Sequence, residues 1–264
     1  MKSAAVGHQC PDCVKQGNKS MRPIKAAYGG RARRAPYVTY ALVGLNVLVM
    51  AATLSPANPL SGDVTNAVFR KLAMVPSTTV IGLDDGDTTA TLRGIAQGDY
   101  LRIVTSMFLH FGVLHLFLNM AALWLVGPEL EQAFGQVRFG ALYVLSGLGG
   151  SALSYAFGPP NGIYAGASGA VFGLFAALYV HDRRRRLDST WLRGLFVGNV
   201  LVTFLVPNID LRAHFGGAVT GAAIAWVVAY APHTKQRSLY QAAGIVAVAL
   251  LIVGGIAVRT AQLS

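Results

Sequence analysis

Two short strings carry the strongest signal for the fold of this chain: Gly166-Ala167-Ser168-Gly169 and Ala213-His214-Phe215-Gly216-Gly217. Each lies inside its own apolar stretch. An ionisable side chain at membrane depth is costly to bury, so it marks a candidate functional site. A serine next to a histidine is the minimum for an activated nucleophile. Ser168 and His214 are therefore candidate catalytic residues inside a bilayer.

The composition independently indicates a membrane protein. The chain has 264 residues, of which 53% are hydrophobic and 12% are charged, and its mean hydropathy is +0.48. A soluble domain usually has about 25% charged residues, and a spanning helix needs about 20 apolar ones. These criteria predict an all-α polytopic membrane protein with seven transmembrane helices. The predicted spans are 38–57, 103–127, 137–157, 166–181, 191–206, 212–231 and 240–258.

The distribution of charge predicts how the chain is oriented. The net charge is +11. Basic residues cluster before the first span, at Arg183–Arg186 and at Lys235 and Arg237, whereas residues 61–100 are acidic. Because basic residues favour the cytoplasmic side, the N-terminus is expected to be cytoplasmic and the C-terminus extracytoplasmic. The excess charge is then a topology signal, and it does not indicate nucleic-acid binding.

Polar residues on the second predicted span complete a constellation. His115 and Asn119 are four residues apart, so they share one helical face and can donate two converging hydrogen bonds, as an oxyanion site requires. His110 is expected on the same helix, bonded to a loop or to water. With alternating spans, these donors lie at the same outer depth as Ser168 and His214. No acidic residue is expected at that depth, which favours a dyad over a triad.

At this point the sequence resembles the rhomboid family of intramembrane serine proteases. The resemblance covers residues 38–231. Further matches are Arg102, which resembles the family's first-loop arginine, and Glu131 with Gly135, which resembles its Glu-xxx-Gly element. The resemblance implies a six-helix protease core over residues 38–231 and an additional transmembrane helix within 232–264.

The resemblance also implies roles for individual residues. Ser168 would be the nucleophile, His214 the general base, and His115, Asn119 and the Ser168 backbone N–H the oxyanion donors, with His110 as support. Small residues would line the substrate cavity or pack the helices: Gly166, Gly169, Gly217 and Gly221. Two positions depart from the family pattern: Phe172 replaces a tyrosine that packs on the base, and Leu101 replaces a tryptophan.

The polar N-terminal tail, residues 1–37, contains a second candidate site. His8, Cys10 and Cys13 have the spacing of zinc ligands and resemble half of a small zinc ribbon, but structural zinc usually takes four ligands. Two hypotheses stay open: a partial zinc ribbon whose other ligands lie upstream, and a disordered tail with two reduced thiols. His181 and His233, which lie at cytoplasmic helix ends, are expected to be solvated.

The function expected from these observations is that of an intramembrane endopeptidase. It would cleave single-span membrane proteins near the extracytoplasmic face, without a catalytic cofactor, and its expected location is a bacterial plasma membrane. A rhomboid-like pseudoprotease that binds membrane helices without cutting them is the alternative. A transporter is disfavoured, because the ionisable residues gather at one depth. The sequence predicts no oligomeric state.

Overall fold

The computed structural model describes residues 2–3, 8–20, 26–30, 32–33, 35–54, 64–83, 88–188, 190–205 and 209–263. Several sequence predictions lie partly outside these residues. They are the side chain of the zinc candidate His8, the end of the first span at 55–57, the end of the fifth at 206, and the acidic positions 63 and 84–87.

Helices dominate the described chain. The N-terminal tail has β1 (Lys2–Ser3), β2 (His8–Gln9) and α1 (Pro11–Ser20). In chain order the remaining elements are α2 (Tyr37–Thr53), α3 (Ala67–Leu72), β3 (Thr79–Gly82), β4 (Thr89–Leu92), α4 (Arg102–Thr105), α5 (Val113–Phe134), α6 (Gln136–Phe157), α7 (Ser168–Arg185), α8 (Thr190–Leu205), α9 (Leu211–Tyr230) and α10 (Arg237–Leu263). The helical fold predicted from composition is confirmed, although the two short antiparallel sheets were not expected.

Long helices occupy all seven predicted spans. By length and apolar composition, α5, α9 and α10 are sufficient to cross a membrane, and α2 is a shorter apolar helix. In α6 and α7 many of the residues are glycine, alanine or serine, which pack against other helices rather than lipid. The number of seven crossings therefore stays a prediction.

The second span was predicted to begin too early. After α4, residues Ser106–Phe108 form a 3₁₀ turn and the chain then extends, so that α5 begins only at Val113 and continues to Phe134. The prediction was wrong because Leu109 and Phe111 are apolar without being helical, and hydropathy alone does not distinguish an apolar helix from an apolar extended segment. His110 consequently precedes the helix rather than lying on it.

Glycine contacts hold α6, α7 and α9 together. A Cβ on Gly216 would lie 2.5 Å from the Gly149 carbonyl oxygen, and one on Gly150 would lie 2.6 Å from the Ala213 carbonyl oxygen. A Cβ on Gly217 would overlap the backbone of Gly169. The three helices can approach this closely only without side chains at the contacts. This packing brings the start of α7 against the start of α9.

Arginine and glutamate side chains tie the shorter segments to this core. Arg102 is buried, and its guanidinium donates to the Asp99 carboxylate at 2.6 Å and to the carbonyls of Arg70 and Ala73 at 2.6 and 2.8 Å, which fastens α4 to the end of α3. Leu101, where the family often has tryptophan, is exposed. At the other end, the buried Glu131 carboxylate accepts hydrogen bonds from the backbone N–H groups of Val38 and Thr39, so that it caps α2.

His181 contradicts the expectation that it is solvated. It is buried, and its Nδ1 lies 2.8 Å from the Tyr28 hydroxyl. The reason is that the turn at residues 26–30 folds back over the end of α7, which the polar and basic character of the whole tail did not indicate. Gln241 at the start of α10 donates to the Tyr28 carbonyl at 3.1 Å and joins this end of the bundle.

Candidate active site

Ser168 is the first residue of α7, where backbone N–H groups have no helical acceptor. The first hydrogen bond of the helix runs from the Val171 N–H to the Ala167 carbonyl, which leaves the N–H of Ser168 free for a ligand. Gly166, just before it, has φ +141°, a conformation that favours glycine. A Cβ at Gly166 would lie 3.7 Å from Ser168 Oγ and 3.0 Å from His115 Cε1, so a side chain there would fill the space between them.

His214 lies near the start of α9 and is held on two sides. Its ring stacks on Phe172 with the centroids 4.0 Å apart and the planes 11° from parallel. The Phe172 ring thus packs on the histidine in the manner that the family resemblance gives to tyrosine. On the other side, Nδ1 lies 3.0 Å from Thr203 Oγ1 on α8. These two contacts fix the plane of the imidazole.

The Thr203 hydroxyl lies between the Asn199 carbonyl and His214 Nδ1, and it has a single proton to donate. In the geometry described, it donates this proton to the Asn199 carbonyl at 2.8 Å. With the proton in that bond, the Thr203 oxygen accepts from His214 Nδ1–H. A neutral His214 therefore keeps its lone pair on Nε2, which is the nitrogen free to act as a base. The sequence prediction missed Thr203, because a threonine in an apolar helix commonly bonds only to its own backbone.

Among the described residues, Ser168 Oγ has no hydrogen bond, to His214 or to any other group. A catalytic contact is commonly loose before substrate binds. The nearest acid in sequence is Asp210, whose carboxylate accepts from Ser154 Oγ and from the Arg212 backbone N–H rather than from His214. This arrangement fits a dyad.

His115 is oriented toward the nucleophile. Its Nδ1 accepts a hydrogen bond from the Phe111 N–H at 3.5 Å, so a neutral ring carries its proton on Nε2. That Nε2 lies 3.2 Å from the position of a Cβ on Gly166. Asn119 is buried and lies one turn further along α5, where its Nδ2 donates to the His115 carbonyl at 2.9 Å. One amide proton of Asn119 is thus used within α5, and the other is available to a substrate.

His110 supports this group from the extended segment before α5. It is fully buried, and its ring meets the His115 ring edge-on with the centroids 5.0 Å apart. Neither of its nitrogens has a hydrogen-bond partner among the described residues. The expected bond to a loop is therefore absent from that part of the chain, and a bond to water stays a prediction.

The N-terminal thiols lie apart from this site. Cys10 and Cys13 are exposed and are not joined in a disulfide. Hydrogen bonds with Cys13 and Asp12 lower the pKa of the Cys10 thiol, which favours the thiolate that a metal needs. Zinc binding stays a hypothesis, tested by the zinc content of the purified protein.

Comparisons with known proteins agree with this architecture. Residues 97–231 match the model of the Rhomboid domain. Rhomboid protease GluP of Bacillus subtilis is 41% identical over 133 residues, which are 48% of this chain and 26% of that protein. RHOMBOID-like protein 6, mitochondrial, of Arabidopsis thaliana is 31% identical over 219 residues, which are 75% of this chain and 69% of that protein.

A third relative, the putative rhomboid protease YdcA of Bacillus subtilis, is 34% identical over 133 residues, which are 48% of this chain and 67% of that protein. The chain spans only about a quarter of GluP. The matched region nevertheless contains every residue of the site around Ser168 and His214, and it covers half of the chain. The protein is a membrane protein of the rhomboid family.

Proposed function

We propose that this protein is an intramembrane serine endopeptidase that cleaves single-span membrane proteins near the extracytoplasmic face with a Ser168–His214 dyad. One observation carries the proposal: Ser168 and His115 converge on the space beside Gly166, and the contact of Gly169 with Ala213 brings the start of the His214 helix against the start of the Ser168 helix, with each imidazole held in a defined orientation. The family membership and the names of the relatives support it.

The arrangement supplies each step of acyl transfer. Ser168 Oγ attacks the scissile carbonyl carbon while His214 Nε2 takes the hydroxyl proton. The Ser168 backbone N–H, His115 Nε2–H and Asn119 amide would stabilise the oxyanion. His214 then returns the proton to the leaving amine, which leaves an ester on Ser168. Water, activated by the same nitrogen, hydrolyses the ester and restores the serine.

The substrate would reach the site sideways, between α5 and α8. On α8, Gly194 and Gly198 face open space, and Phe196 is among the few aromatic contacts to α7, with its ring centroid 5.9 Å from that of Phe172. A helix with so light a contact can move at low cost. Cleavage requires a substrate helix that unwinds, because helical peptide bonds are hydrogen-bonded and shielded by lipid.

A pseudoprotease that binds membrane helices without cutting them is the second candidate. It shares the fold and the substrate path. It differs in predicting that Ser168 has no nucleophilic activity.

The test is cleavage of a single-span substrate by the purified protein in liposomes. We expect the wild type to cut, and Ser168→Ala and His214→Ala to lose roughly 1,000-fold or more of that activity while they unfold at the same temperature. A fluorophosphonate probe should label the wild type and fail on Ser168→Ala. Wild-type protein that binds the substrate and neither cuts it nor reacts with the probe would establish the pseudoprotease.

A further inference from the structure

A cavity of about 280 Å³ lies at the opposite end of the bundle from Ser168. It opens where α7 and α9 end, where α10 begins, and where the turn at 26–30 folds over them. The residues that line it are Ala27, Tyr28, Arg184, Arg185, Ala229, His233 and Arg237. Three guanidinium groups and a histidine thus surround one space, and no acidic residue is among the lining residues.

No ion pair joins an arginine of this cavity to an acid among the described residues, and the nearby carboxylates of Glu129 and Asp182 cluster with His181 rather than lining the cavity. The two ion pairs among the described residues join Arg102 to Asp99 and Arg212 to Asp210, and neither is at this end. Arg184 is accommodated by the end of α9, since its Nε donates to the Ala229 carbonyl at 3.3 Å and its guanidinium lies over the Tyr230 ring. The guanidinium groups of Arg185 and Arg237 donate to no described residue.

Arg237 is the least satisfied of the three arginines. Its Nε is buried and has no hydrogen-bond partner among the described residues, which is costly for a charged donor. Burial raises the pKa of Tyr28 to about 12, and the positive charges of Arg185, Arg184 and Arg237 partly counteract that shift. All three arginines therefore act electrostatically on the same wall of the cavity. Like charges gathered around a partly closed space favour an anion.

We infer that this cavity binds a phosphate group, either the phosphodiester of an anionic lipid or free phosphate. Arginine forks match phosphate oxygens in geometry as well as charge. The cavity lies among the helix ends that carry the basic clusters, which the distribution of charge predicts to face the cytoplasm. Basic pockets between helices at that surface recognise anionic headgroups. This site is separate from the proposed peptidase chemistry.

The test compares thermal unfolding of the full-length protein in micelles of an uncharged maltoside detergent, which has no phosphate, with and without added phosphatidylglycerol. We expect the anionic lipid to raise the midpoint of the wild type by about 4 °C. An Arg185→Gln/Arg237→Gln double variant should lose most of this shift. Arg183→Gln should keep it, because Arg183 belongs to the same basic run, is exposed, and does not line the cavity.

Two further measurements identify the ligand and provide a variant in case the double variant does not fold. Inorganic phosphate that reproduces the full shift would assign the site to the free anion, and failure of phosphate with success of the lipid would assign it to the headgroup. Arg237→Lys, which keeps the charge and loses the planar fork, replaces the double variant if the latter does not fold. Equal shifts in all variants, or an equal loss in Arg183→Gln, would overturn the proposal and leave only general surface charge.

Discussion

At the residue scale, the orientation of His214 depends on a hydroxyl that belongs to another helix. The Thr203 hydroxyl donates a hydrogen bond to the Asn199 carbonyl and accepts one from His214 Nδ1–H, so the lone pair of the neutral imidazole is on Nε2. In a triad an aspartate performs this orienting role, and a neutral hydroxyl performs it here without a charge that would have to be buried. Thr203 is thus a positioning residue whose effect acts through His214.

Removal of this hydroxyl should therefore lower turnover more than binding. Thr203→Val keeps the shape of the side chain but leaves Nδ1–H without its acceptor, and we expect kcat to fall about 10-fold with little change in KM. Thr203→Ser, which restores the oxygen, should recover most of the rate. Cleavage kinetics in liposomes measure both. Equal kcat in Thr203→Val and wild type would remove the role assigned to Thr203.

The ring at position 172 permits a second comparison. Phe172 stacks on His214, so the aromatic face matters to the base, whereas a hydroxyl has no evident partner here. We expect Phe172→Tyr to retain activity within about threefold, and Phe172→Leu, which keeps much of the volume, to lose about 2- to 10-fold, since stacked rings contribute about 0.5–1.5 kcal/mol beyond burial. Cleavage rates decide this. A fully active Phe172→Leu would show that stacking does not position the base.

At the element scale, the approach of α7 and α9 sets the separation between nucleophile and base. A Cβ on Gly217 would overlap the Gly169 carbonyl and one on Gly221 would overlap that of Gly173, so a methyl group at either place forces the helices apart. A misplacement of about 1 Å in reacting groups costs up to about 100-fold in rate. If Ser168 and His214 form the proposed dyad, small residues at these contacts are required for catalysis as well as for packing.

Gly217→Ala should consequently lower both stability and activity. We expect a loss of about 1–3 kcal/mol in unfolding free energy and a rate loss approaching 100-fold. Gly254→Ala on α10 is the matched control, because a Cβ there meets nothing within 4 Å. Thermal unfolding and cleavage are measured on both variants. Similar behaviour of the two would contradict the role given to the α7–α9 contact.

The elements differ in how well the sequence predicts them. Helix α6 follows its predicted span within one residue, because apolar content and turn residues mark both of its ends. The start of α5 does not, because the apolar residues before Val113 are buried in extended chain. The hairpin of β3 and β4 was also missed, although β-branched residues at Thr79–Ile81 favour a strand. Local composition predicts which stretch of the chain is helical, whereas tertiary contacts determine the residue at which the helix begins.

The same contrast holds in the candidate active site, where the sequence pattern identifies some residues but cannot identify their contacts on other helices. Spacing alone indicated His115 and Asn119, and the two do share one face of α5. It could not indicate Thr203 or the burial of His181, because both depend on which helices become neighbours. The Tyr28 hydroxyl that contacts His181 is far away in sequence, so no local window contains the pair.

At the scale of the whole molecule, the arginine cavity and the proposed catalytic pair lie at opposite ends of the bundle. Ser168 and His214 begin their helices at one end, while Arg184, Arg185 and Arg237 lie at the other. If the basic end faces the cytoplasm, as the distribution of charge predicts, the nucleophile opens toward the outside. The orientation of the chain thus decides which side of the membrane receives the cleaved product.

The native thiols provide a direct test of this orientation. Cys10 and Cys13 are exposed in the N-terminal tail, so a membrane-impermeant maleimide should leave them unlabelled in intact cells and label them after lysis. Tyr100, half exposed on the predicted outer segment, gives the opposite probe: Tyr100→Cys in a Cys10→Ser/Cys13→Ser background should label in intact cells. Reversal of both results would place the active site at the cytoplasmic face. It would also move the arginine cavity away from the leaflet that is rich in anionic lipid, so this measurement bears on the peptidase and on the phosphate site together.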